Sequence, residues 1–66
     1  MTQKELLYLE DAIGHEKNMI SICEDIVCSL QDESLVSFME KEIKKHKSLK
    51  EKLMEFLKEK ANDWSD

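Results

Sequence analysis

Sixty-six residues with one Gly, no Pro and 38% charged side chains make one small domain, and they lack the punctuation that sheets and loop-rich folds need. Length and Gly content together exclude a βαβ nucleotide fold. Ten Lys, no Arg and 15 acidic residues leave a net charge of −5, with neither the guanidinium fork nor the positive field that nucleic-acid binding uses, so no nucleic-acid partner is expected.

The opening residues, Met1-Thr2-Gln3-Lys4-Glu5, carry no apolar leader segment. Instead, Thr2 and Glu5 have the spacing of a capping box, which starts a helix. Seam positions then recur at Leu6, Leu9, Ile13, Glu16, Ile20, Cys23, Val27 and Leu30, spaced three and four apart like a heptad. Ala12, Met19 and Ile26 widen this stripe to the breadth of a globular-bundle helix. The pattern predicts a first helix over 2–31.

The polar run Gln31-Asp32-Glu33-Ser34 breaks the period and predicts a turn over 31–34, with Asp32 or Ser34 as N-cap. Leu35, Val36, Met39, Glu42, Ile43, His46, Leu49, Lys50, Leu53, Phe56 and Leu57 restore helical spacing. They predict a second helix over 34–61, with Lys58 and Lys60 suited to its C-terminal dipole. Residues 62–66 form a short tail whose Trp64 folds back or serves a contact. No apolar run approaches the roughly 18 residues of a membrane span. A cytoplasmic protein is therefore the expectation.

So short a turn makes the helices antiparallel. Folding about residues 32–33 sets Val27 against Phe38, Cys23 against Glu42, Ile20 against Lys45 and His46, and Glu16 against Leu49. The first segment carries two Lys against six acids and the second eight Lys against five, which favours their lying side by side. A chain this short buries only about 60% of its unfolded surface. With two Cys and no zinc pattern, oligomerisation is expected to supply the missing stability. The expected fold is all-α: an antiparallel hairpin that dimerises into a four-helix bundle. Leu6, Leu9, Ile13, Ile20, Val27, Leu35, Met39, Leu49, Leu53 and Leu57 form its core and dimer seam.

Glu16, Glu42 and His46 interrupt the apolar stripes, and an unpaired buried carboxylate is costly. They read as a polar layer of Glu–His hydrogen bonds that fixes register, as a metal site doubled across a dimer, or as side chains that snorkel to water. In the metal reading the ion is Fe or Mn. A bundle di-metal motif has Glu three residues before His, and Ile43 occupies that position.

Asp11 and His15, at i and i+4, read as solvated surface residues rather than a metal clip. Cys23 and Cys28 point about 140° apart on one helix and should not pair with each other. The lysines from Lys41 to Lys52 are interleaved with acids, which favours a solvated face over an anionic partner. No Ser/His/Asp set, Gly-rich phosphate loop or CxxC is present, so no enzyme is expected.

Leu6-Leu7 with a following acid, His15-Glu16-Lys17, Glu33-Ser34-Leu35, and Glu42, His46-Lys47, Leu49, Leu53 and Phe56-Leu57 together resemble the spore coat F-type family. The resemblance covers about residues 5–64. It implies a ferritin-like helical bundle, dimerisation and a structural place in a spore coat, at half the usual bundle length. Three functions are therefore expected in turn: a non-enzymatic self-associating protein, a metal-binding bundle assembled across a dimer, or an adaptor that holds a helix of a larger partner.

Overall fold

A computed structural model describes residues 1–61 as two helices, α1 (Gln3–Ser29) and α2 (Glu33–Lys60), packed as an antiparallel hairpin. The expected role of Trp64 lies outside the described residues. The predicted capping box is present. Thr2 Oγ1 accepts from the Glu5 backbone N–H at 3.1 Å, and the Thr2 N–H donates to Glu5 Oε1 at 2.8 Å. The Thr2 backbone donor holds the Glu5 carboxyl below its ordinary value.

The turn is shorter than expected and sits earlier. α1 ends at Ser29 rather than 31, because Leu30 is already extended. α2 begins at Glu33 rather than 34, because the cap is Asp32. Asp32 Oδ1 accepts from the backbone N–H groups of Ser34 at 2.9 Å and Leu35 at 3.1 Å, and from Ser34 Oγ at 2.7 Å. Ser34 thus supports the cap instead of being it. α2 stops at Lys60, with Lys58 and Lys60 in its last turn.

This turn decides the register. The hairpin pivots on Gln31 rather than on 32–33. Glu16 meets His46, numbers adding to 62, while Tyr8 and Leu9 share a groove with Phe56, adding to 64 and 65. The buried core is Ile20, Cys23 and Ile43, with Val27 and Met39 half-buried against it. Ile13 is buried nearer the open end. Two expected pairings differ in the structure. Phe38 stands exposed instead of covering Val27, and Glu16 meets His46 instead of Leu49. Among the seam residues, Leu6, Leu9, Val27, Met39, Leu53 and Leu57 are half-buried, while Leu35 and Leu49 are exposed.

The hairpin is a rod. Its radius of gyration is 15.3 Å, against about 11 Å for a compact chain of this length. Among the described residues no side chain is completely buried. Cys23 is buried, Cys28 is exposed, and both are free thiols.

Two measurements test these local arguments. Gly14 lies mid-helix, and a Cβ built there meets nothing within 4 Å. Gly14→Ala should therefore raise stability by about 0.5–1 kcal/mol in urea titration, through helix propensity. A loss would show that something crowds this position. The bonds from the Ser34 hydroxyl, and then from the Leu35 and Ser34 backbone, hold the Asp32 carboxyl below its ordinary 3.8. A lowered folded-state value stabilises fully above the unfolded value, and the benefit disappears as pH falls through the folded one. Asp32→Ala should lower Tm by a few degrees near neutral pH. It should also remove part of the decline that wild type shows below about pH 4 in circular dichroism melts.

Candidate interaction face and buried polar pair

Among the described residues, a largely buried ionisable contact joins the two helices across the seam. Glu16 is 8% exposed, and its Oε2 lies against Nδ1 of half-buried His46. The Gln31 pivot brings these two side chains to the same level. The carboxyl oxygen and the ring nitrogen share this hydrogen bond across the seam. No buried side-chain polar atom among the described residues lacks a partner. Of the three expected polar residues, the fold joins Glu16 to His46 and leaves Glu42 out. Glu42 instead meets Lys45, with Oε1 at 3.4 Å from Nζ. Among the described residues, no three His, Cys, Asp or Glu side chains converge as a metal site. Asp11 and His15 are both exposed on α1.

The larger feature is an apolar face. Each helical residue advances about 100°, so side chains displaced to one side of the core stripe form a flank. On α1 that flank is Tyr8, Ala12, Met19, Ile22 and Ile26; on α2 it is Leu35, Phe38, Leu49 and Phe56. The helices run antiparallel, so both flanks emerge on the same broad side of the hairpin. Tyr8, Ile22, Phe38 and Phe56 are each more than half exposed. At the open end the face dips into a groove where Tyr8, Leu9 and Ala12 of α1 line up with Phe56 of α2. Lys60 Nζ stands 5.7 Å from the Phe56 ring centroid, and so caps this apolar end with a cation–π contact.

The opposite broad side is charged. Glu24, Glu40, Lys44 and Lys47 surround a shallow groove over Val27 and Ile43. Lys47 Nζ and Glu24 Oε2 are 3.7 Å apart and half exposed, a pair worth little in water. Exposed Leu7 and Met54 share heptad columns with Cys28 and with Glu40 and Lys47 on this side, while the greater part of the exposed apolar surface lies on the other.

Sequence reading found the flank on α1 only in part, through Ala12, Met19 and Ile26. It missed Tyr8 and Ile22 and set Phe38 against Val27 inside the hairpin; it placed Leu35 and Leu49 in the core and dimer seam, and set Leu49 against Glu16. The spacing of Leu49 and Phe56, seven residues apart on α2, was the available signal.

No protein-family model, no curated protein and no solved structure matches this chain. Among the described residues, no helix is long and apolar enough to cross a membrane.

The buried pair has a measurable signature. His46→Ala strands the Glu16 carboxylate and should cost about 1–3 kcal/mol in urea unfolding. Replacing both by Leu should cost far less, or stabilise, because no unpaired polar group remains. Equal losses in the single and double variants would show that the contact is incidental.

Proposed function

We propose that this chain is a non-enzymatic, self-associating helical hairpin that closes its apolar broad face against a second copy, giving a four-helix bundle. The observation that carries this reading is the row of exposed apolar residues on one broad side, from Tyr8 and Phe56 at the open end to Ile26 and Phe38 near the turn, interrupted by His15 on α1 and by the Glu42–Lys45 ion pair on α2. A patch that spans both helices of so small a protein marks an interaction surface. The chain exposes 5256 Å², more than the about 4,400 Å² of a compact monomer of this mass, as an elongated hairpin with uncovered apolar residues does.

The dimer then needs two sets of residues. Ile13, Ile20, Cys23 and Ile43 hold each hairpin together. Tyr8, Ile22, Phe38, Leu49 and Phe56 join the two copies, so the expected single seam divides between these tasks. The resemblance to coat F-type proteins supplies a setting, a small structural unit built into a larger coat-type assembly. In the cytoplasm the same unit acts as a plain homodimer.

Sedimentation equilibrium at micromolar concentration should give twice the chain mass. Phe38→Glu places a charge on the open face and away from the hairpin core, so it should give a helical monomer and weaken association at least a hundredfold. A folded wild-type monomer at that concentration would overturn the reading.

A second reading places a metal ion in the assembled bundle. Its support is the Glu16–His46 contact, which presents two donors of the right kind at one level of the hairpin. A two-fold axis would double them to four. Stoichiometric Fe or Mn in protein purified without chelator, lost in His46→Ala, is the expected result. Metal-free dimers would remove this reading and leave the structural one intact.

A further inference from the structure

The edges of the apolar face carry a charge pattern that specifies how the second copy sits. On α1, Lys4, Asp11, Asn18 and Asp25 recur every seven residues and form a column along the outer edge of the flank. On α2, Lys45, Lys52 and Glu59 continue the Phe38 column along the outer side of the flank, with Lys41 one turn before Lys45. All of these residues are exposed. Lys4, Asp11, Asp25, Lys41, Lys52 and Glu59 enter none of the ion pairs within the described residues. Inside one hairpin the two columns lie on opposite outer edges and cannot meet.

Two hairpins can stack face to face about a two-fold axis in two ways. With the axis parallel to the helices, both turns lie at one end and α1 covers the partner's α2. With the axis across the helices, the turns lie at opposite ends, α1 covers α1 and α2 covers α2. Both arrangements bury the apolar flank, but they differ in what the edges do.

We infer that the second copy binds with its two-fold axis parallel to the helices, α1 against the partner's α2, with turns at the same end. This rests on the dimer proposed above and adds its geometry. In this arrangement facing residues keep the same level rule as within the hairpin. Lys4 then falls opposite Glu59, and Asp11 opposite Lys52, each pair occurring twice per dimer. Asp25 lies within a turn of Lys41, inside the reach of a lysine. Every close meeting of charges along the edge is between opposite signs. The segment charges agree, since an acidic α1 half meets a basic α2 half. The crossed arrangement places Lys41 at the level of the partner's Lys52, like against like, and matches acidic α1 with acidic α1. Like charges held together oppose association, so the edges select the first geometry and reject the second. At the open end the chosen geometry also sets Tyr8 and Phe56 of one copy over Phe56 and Tyr8 of the other, a four-ring layer.

Spin labels at the turn decide the geometry. Gln31→Cys in a Cys28→Ser background gives one exposed label per chain at the hairpin tip, with Cys23 buried. Turns at one end predict an electron–electron distance under about 30 Å, set by the width of a bundle of ~10 Å helices. A distance above about 40 Å, approaching the 50 Å length of the hairpin, would overturn the inference while leaving the dimer in place. An uncoupled signal with monomer mass would overturn the dimer itself. So would a monomer that instead binds lipid vesicles through the apolar face. As a second arm, Asp11→Lys should weaken dimerisation roughly three- to tenfold at low salt, and adding Lys52→Asp should restore it. No recovery in the double variant would also overturn the pairing.

Discussion

Two helices side by side can hide only one stripe of each from water. Everything else in this structure follows from that geometric limit. An α-helix whose apolar band spans three positions in seven presents more greasy surface than one neighbour can cover. The hairpin spends its narrowest, most central positions on itself: Ile13, Ile20, Cys23 and Ile43 are buried, and little else is. Most of the remaining apolar side chains, though not Leu7 and Met54, fall on one broad side, because antiparallel helices turn their like-handed flanks the same way. The result is a rod with a charged back and an apolar front.

The polar pair belongs to the same economy of space. Glu16 occupies a seam position where an apolar residue would pack more simply, and His46 is the group across the seam that can satisfy it. Such a pair adds little to net stability compared with two leucines. It penalises every register in which the carboxylate faces an aliphatic chain, and a smooth heptad seam needs that discrimination because sliding by one repeat costs it little. The edge charges have a comparable role at the next level. They are weak individually, yet their order along α1 and α2 separates one stacking of hairpins from another.

The turn is a small feature with a large effect. Asp32 accepts three hydrogen bonds from the first turn of α2, and this fixes where that helix begins. With the pivot at Gln31, Glu16 comes to the level of His46. Phe38 and Leu49 lie on the open side because of their angular positions about α2, which sliding along the axis does not change.

The sequence by itself determined the all-α class, two long helices, the capping box at Thr2 and Glu5, and the break after α1. Each of these is written in local spacing or in the chemistry of one or two side chains. It also marked Glu16 and His46 as residues in need of a partner, because a charge among leucines is visible without coordinates. Only the tertiary structure decided that they partner each other, that Glu42 turns to Lys45 instead, and that Phe38 and Leu49 face outward. The Glu16–His46 partnership depends on the level at which two helices meet, whereas Phe38 and Leu49 face outward by their angle about α2. A three-residue loop sets that level to within one turn, and periodic sequence alone is blind to it: a heptad seam reads the same when slid by one repeat.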